Sequence, residues 1–205
     1  MNDRLEAIIN RYRAKLAQAI APPALLHDKL HINGLIRARE VPFETEEEWR
    51  RFWLGEFDSQ GRMIRAPRMS EREKERYTVA EAPNILVSSG ITNVLNYIGS
   101  NTGQVFAQYF AVGNVAINQV NSNDTSLANE YFRAVPSTST INGTQIDIST
   151  FFGSGSGNGS ITNAGLFGNG ATGTLGSGTL MTKSLFQYTK VNGIPITADY
   201  LLAYA

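Results

Sequence analysis

Two apolar runs, Tyr131-Phe132-Arg133-Ala134-Val135 and Gln145-Ile146-Asp147-Ile148-Ser149-Thr150-Phe151-Phe152, flank the dipeptide Asn142-Gly143. Both are of strand length and rich in β-branched and aromatic residues, and Asn-Gly supplies the φ > 0 backbone that tight turns require. The same pattern extends outward, predicting further strands at 106–112, 180–186 and 194–202 with turns at Asn169-Gly170 and Asn192-Gly193. Ile91, Val94, Leu95 and Ile98 fit a turn and a half of helix instead, and the run Gly153 to Gly159 reads as a flexible surface loop. Several short strands with Gly/Asn turns predict a mainly β fold, an antiparallel β-sandwich of jelly-roll-like topology, with a barrel as the alternative.

Upstream the chemistry changes. Fifteen of the 18 Lys and Arg and thirteen of the 18 Asp and Glu lie in residues 1–80, whereas only Gly34, Gly55 and Gly61 of the 19 glycines do. The chain therefore divides into a helical, charge-rich docking arm over 1–80 and a β-sandwich domain over 81–205. Within the arm, Leu5, Ile8, Ile9, Tyr12, Leu16 and Ile20 form one apolar stripe on a helix over 3–20, which Pro22-Pro23 ends. Thr45 and Glu48 form a capping-box pattern ahead of a second helix carrying Trp49, Phe52, Trp53 and Phe57; Ser70 and Glu73 do the same for a short third one. The stretches 30–43 and 61–69 read as irregular and Arg-rich. An arm with so little core of its own is expected to gain order from other chains, with Leu5, Ile8, Tyr12, Trp49, Phe52 and Trp53 as partner-binding anchors.

The formal net charge is zero, so nothing in it attracts nucleic acid or an anionic membrane surface. Cysteine is absent, which removes disulfides and thiolate metal sites. No apolar stretch approaches the ~18 residues of a membrane span, and the amino terminus runs straight into a charged amphipathic pattern, so neither an anchor nor a plain signal peptide is expected. His27 and His31, the only histidines, have i, i+4 spacing but no third ligand nearby, so neither a metal site nor a Ser/His/Asp arrangement is expected. Beyond residue 80 the carboxylates are Glu81, Asp124, Glu130, Asp147 and Asp199; Glu130 with Arg133 reads as an ion pair rather than an acid/base couple. The Gly-rich run lacks a following Lys-Ser/Thr, which argues against a phosphate cradle. Arg62, Arg65 and Arg68 could meet an acidic surface, although nearby acidic residues weaken a nucleic-acid reading. No enzyme activity and no cofactor are expected.

Four signals recur in a fixed order. They are Pro83-Asn84-Ile85-Leu86-Val87-Ser88-Ser89-Gly90 leading into a short helix; Tyr109-Phe110-Ala111-Val112-Gly113; Asn123-Asp124-Thr125-Ser126-Leu127-Ala128-Asn129-Glu130 with Arg133; and Ile161-Thr162-Asn163-Ala164-Gly165-Leu166-Phe167 with Gly178-Thr179-Leu180-Met181-Thr182-Lys183. In this order they resemble a domain of small virion structural proteins of tailed bacteriophages. Asn123 stands where that pattern usually has glycine, and Asn163 where an acidic residue is common. The resemblance covers about 120 residues and none of the arm. It implies a virion protein, most of all a capsid decoration or cement protein clamping neighbouring subunits through its arm; tail, neck, baseplate or fibre components are the alternative. The partners it implies are a major capsid protein or tail proteins and further copies of the chain, a trimer by the habit of such proteins, with no membrane and no specific nucleic acid. A carbohydrate-binding module is the reading from another class, because sandwich loops rich in Asn, Ser and aromatics can hold sugars.

Overall fold

The structure is a computed structural model that describes residues 32–60, 62–100 and 106–204. Strands β1 (Ile32–Glu40), β4 (Thr78–Leu86), β5 (Tyr109–Gly113), β6 (Glu130–Ala134), β7 (Thr138–Asn142), β8 (Gln145–Phe152), β10 (Asn163–Gly168), β11 (Thr179–Ser184) and β13 (Ile196–Tyr204) form one sheet. Their order is β6-β5-β10-β11-β4-β1-β13-β8-β7. Two ribbons stand apart, β2 (Glu56–Phe57) with β3 (Met63–Arg65), and β9 (Gly159–Ile161) with β12 (Tyr188–Lys190). Among the described residues the helices are α1 (Glu46–Trp53), α2 (Glu71–Glu75) and α3 (Ser88–Ser100).

The edge strands β6 and β7 are consecutive in the chain, joined only by Val135, Pro136 and Ser137. Nine strands laid flat would hold their edges about 38 Å apart, whereas this link spans at most about 14 Å. The sheet must therefore curl until its two halves face each other. Phe110 on β5 accordingly packs against Phe152 on β8 at 5.6 Å and Tyr200 on β13 at 5.7 Å, and Phe132 on β6 meets Phe152 edge-on at 5.1 Å. The strands obey the two-residue period that this demands. Ile196, Ala198, Tyr200 and Leu202 of β13 point into the curl, as do Ile36 and Ala38 of β1 and Ala164 and Leu166 of β10.

Local signals set the rest. Gly143, at φ 59°, turns β7 into β8 so that Asn142 pairs with Gln145, and Asn169 and Gly170 turn the chain after β10 at φ 47° and 81°. Thr45 accepts a bond from Glu48 N at the start of α1, and Ser70 with Glu73 closes a reciprocal capping box on α2. Helix α3 lies close on β11: Ser89 Oγ donates to Leu180 O, and a Cβ at Gly90 would come within 2.2 Å of Met181 O.

The expected mainly β, antiparallel class is what forms, but the expected division at 80/81 does not hold. Stretch 30–43, read as irregular, contains β1, which lies between β4 and β13 in the middle of the sheet. Residues 32–80 are thus part of the same compact unit, Ile32–Ala203, as the strands that follow. The reason is visible in β1 itself. Ile36 and Ala38 face the core while Arg37 and Arg39 face the other way, so four residues of strand alternation look like fragments of a charged arm. The predicted helix over 3–20 and both histidines lie outside the described residues. Within the Gly153 to Gly159 run, Gly157 is buried against the Phe132 ring.

A chain beginning at Ala82 loses β1 and the first half of β4, and with them the centre of the sheet. It is expected to show no cooperative thermal transition by circular dichroism, whereas a chain beginning at Ile32 is expected to keep one.

Candidate functional site

The predicted anchors on α1 are turned inward. Trp49 and Trp53 are buried, Trp49 stacking on Phe151 of β8 at 5.9 Å and Trp53 meeting Tyr77 edge-on at 6.2 Å. Phe52 is half-buried, stacked on Phe43 at 5.1 Å and covered by the Arg68 guanidinium at 4.6 Å. Together with Val41 and Phe43 they form a second core on the outer face of the sheet. Trp49 and Trp53 are therefore not exposed anchors for another chain, and neither offers an open face for a sugar. An amphipathic helix with a ready sheet face beside it buries its aromatics there, because covering that face removes apolar area from water on both sides. Leu5, Ile8 and Tyr12 lie outside the described residues. Arg62 and Arg65 are paired locally, with Asp58 at 2.8 Å and Glu56 at 3.1 Å.

The three basic residues beyond position 80 share one role. All are buried, and each donates to the carbonyls of a different loop. Arg133 is held by Glu130 at 2.5 and 2.9 Å, and its Nη1 reaches Thr172 O at 2.8 Å and Ser177 O at 3.1 Å. Glu130 in turn accepts from Gly176 N, and the guanidinium lies 4.8 Å from the Phe167 ring. Lys183 Nζ reaches Ser126 O at 2.9 Å and the Asp124 carboxylate at 3.0 Å. Lys190 Nζ reaches Ser154 O at 3.2 Å and Asn158 Oδ1 at 2.8 Å, with no carboxylate bonded to it, and burial pushes its ammonium below the usual lysine value. Asn163 completes the set. Its Oδ1 accepts from Ala128 N at 3.0 Å while its Nδ2 donates to Val115 O and Ala128 O. An ionised carboxylate could accept but not donate, so asparagine is the residue that fits here.

A polar cavity of about 350 Å³ lies on the outer face of β1, β8 and β7, closed by Trp53, Leu54, Glu71 and Lys74. Arg39 forms a buried ion pair with Asp199, whose other oxygen accepts from Ser149 Oγ at 2.6 Å. Burial pushes the Asp199 carboxyl up against the pull of Arg39 and Ser149. Asp147 is the cross-strand neighbour of Leu201, two positions from Asp199 on the same face. Burial and the nearby Asp199 charge raise its carboxyl to about 6, with Arg39 opposing. Both acids were on the sequence's short roster of carboxylates. Nothing in a separation of 52 positions marked them as neighbours; the β8–β13 register does that. Arg37 and Arg39 were missed as site residues because β1 was missed. Among the described residues no group of three or more His, Cys, Asp or Glu is placed to hold a metal ion, and no helix is long and apolar enough to cross a membrane.

No protein-family model, curated protein or solved structure matches the chain. The likeness to tailed-phage virion proteins therefore rests on the quoted residues.

Two stability measurements follow. Truncating Arg133 to Ala leaves Glu130 buried without its counter-ion and frees the 172–177 loop, so a loss of about 3–5 kcal/mol is expected in urea unfolding. Asp147 binds a proton in the folded chain up to about pH 6, but the unfolded chain releases it near its ordinary value of 3.8. Wild type therefore gains stability from this group as pH falls through that window. Asp147→Asn is expected to exceed wild type at pH 7.5 by on the order of 2 kcal/mol, the two converging toward pH 4.

Proposed function

We propose that the chain is a non-enzymatic structural protein of a tailed-phage particle, most of all a capsid decoration or cement protein, which docks through its amino-terminal segment. The observation that carries this reading is the use made of the residues behind the resemblance. Asp124, Glu130, Arg133, Asn163 and Lys183 all brace loops against the sheet. A motif spent on rigidity suits a display or assembly module better than one that meets a substrate. The charge pattern agrees with it. Beyond residue 80 every basic side chain is used internally, so the part of the surface that these residues supply has little electrostatic pull on nucleic acid. In this reading the curled sheet is a jelly-roll-like sandwich whose two layers are halves of one sheet.

Docking is assigned to residues 1–31, where Leu5, Ile8 and Tyr12 form a stripe in the sequence, since the aromatics of α1 are committed to their own sheet. Summed over many copies on a lattice, even a modest apolar contact per copy becomes firm attachment. A tail, neck, baseplate or fibre position uses the same logic.

The test is co-sedimentation with particles lacking the protein, comparing the full chain with one beginning at Ile32. Binding by the full chain alone is the expected result. Equal binding by both chains would move the docking surface onto the sheet unit, and binding by neither to capsids would shift the assignment to the tail.

A further inference from the structure

Among the described residues the nine-stranded sheet has two edges, and they are finished differently. Strand β6 carries Glu130 and Arg133, both spent on the 172–177 loop, and its Tyr131 Oη donates to Gly157 O. Strand β7, Thr138-Ser139-Thr140-Ile141-Asn142, holds no charged residue and no proline, and Ser139, Thr140 and Ile141 are exposed. Charges and prolines are the usual guards of an edge strand against pairing with another chain. This edge has neither.

The register shows which peptide groups of β7 are open. The two-residue turn at Gly143 and Thr144 makes Asn142 and Gln145 a hydrogen-bonded pair, and the alternation of antiparallel pairs makes Thr140 with Asp147 the next. Ser139 and Ile141 therefore turn their N–H and C=O groups away from β8. Their side chains lie on the core side of the sheet, where Ser139 is the cross-strand neighbour of the core residue Ile148. Ile141 pairs with Ile146, and Ile146 with Leu202, so one apolar row crosses β7, β8 and β13. Exposure along that row rises from 6% at Leu202 to 36% at Ile146 and 77% at Ile141. The row ends uncovered at the edge, where a further strand would close it.

We propose that β7 pairs with β7 of a second copy of this chain, antiparallel about a two-fold axis at Thr140. Ser139 then stands opposite Ile141 of the other copy, and Ile141 opposite its Ser139; each open pair exchanges two bonds, about four in all. Thr140 meets its own counterpart on the axis as a non-hydrogen-bonded pair, an arrangement in which threonines pair favourably. Ile141 lies against the small Ser139 side chain of the other copy and so continues the apolar row toward that copy's core. A two-fold axis brings any charge on a strand close to its own copy, which β7 avoids by having none. Pairing uses up the open edge on both copies, so assembly stops at two. The contact is small beside the roughly 1,200 Å² that stable complexes bury, and the dimer is expected to dissociate at roughly 10–100 μM. Such a dimer forms whether or not the chain belongs to a particle, so its failure leaves the docking assignment untouched.

The experiment is sedimentation velocity on the full chain from about 1 to about 500 μM, wild type beside Ile141→Lys. Reversible exchange between monomer and dimer is expected for wild type. Ile141→Lys is expected to weaken it at least about tenfold and, because the side chain is already exposed, to keep the wild-type thermal transition by circular dichroism. The chain has no cysteine, so engineered thiols report the register without needing that variant. Thr140→Cys is expected to give a disulfide-linked dimer on mild oxidation, since Cα atoms of a non-hydrogen-bonded pair stand about 4.5 Å apart. Ser139→Cys is expected not to, because its two copies are offset diagonally by about 8 Å, beyond the reach of a disulfide. A wild type that stays monomeric throughout, as it would were the edge kept for a different strand, overturns the proposal. So does a trimer, a dimer indifferent to Ile141→Lys, or equal cross-linking by the two cysteines.

Discussion

Three residues between two edge strands govern this structure. Val135, Pro136 and Ser137 join β6 to β7, which stand at opposite ends of a nine-stranded order, and only a strongly curled sheet brings those ends within reach. Curling creates an inside and an outside with different needs. The inside is filled by side chains from facing halves, Phe110, Phe152 and Tyr200 at its centre, in the way that close-packed interiors require. The outside of a curved sheet is still half apolar, and the loops and short helices of this chain are layered over it. Helix α1 covers β8 with Trp49 and Trp53, and the segment before β6 covers β5 and β10 through Leu127.

The Gly-, Ser- and Thr-rich loops among these outer layers are held by buried cations as well as by apolar contacts. Arg133, Lys183 and Lys190 each tie one loop to the sheet through backbone carbonyls. A loop rich in Gly, Ser and Thr has few side chains to bury, and its main-chain oxygens are the groups available for bonding. Arg133 satisfies two of them at once, Lys183 and Lys190 one each. Arg133 and Lys183 also carry a carboxylate partner, which offsets the desolvation that an isolated charge would suffer; Lys190 lacks one, and burial lowers its ammonium value.

The same distribution bears on function. The α1 aromatics, which looked available for recognition in a linear reading, are consumed by the architecture, and the Glu130–Arg133 ion pair read from the sequence is spent on a loop. Docking in the proposed assembly then falls to the amino-terminal segment, where Leu5, Ile8 and Tyr12 stand.

The sequence by itself determined the elements whose signals are local. Asn142-Gly143 and Asn169-Gly170 are turns because their backbone needs φ > 0; Thr45 and Ser70 are caps because their oxygens reach an amide three residues on; and the strands at 145–152 and near 196–202 stand out as apolar runs. It did not reveal β1, whose outward Arg37 and Arg39 are stabilised by partners 44 and 160 positions away, nor the 80/81 continuity that β1 creates. Only the tertiary structure decided which way α1 turns its tryptophans and which carboxylates become neighbours. Capping and turn formation are settled within a few residues, but the fate of a charge or an aromatic face depends on which distant strand arrives beside it. Asp147 is the clearest case: an ordinary strand acid in the sequence, it becomes a buried, unpaired carboxylate only once β13 and β1 are in place.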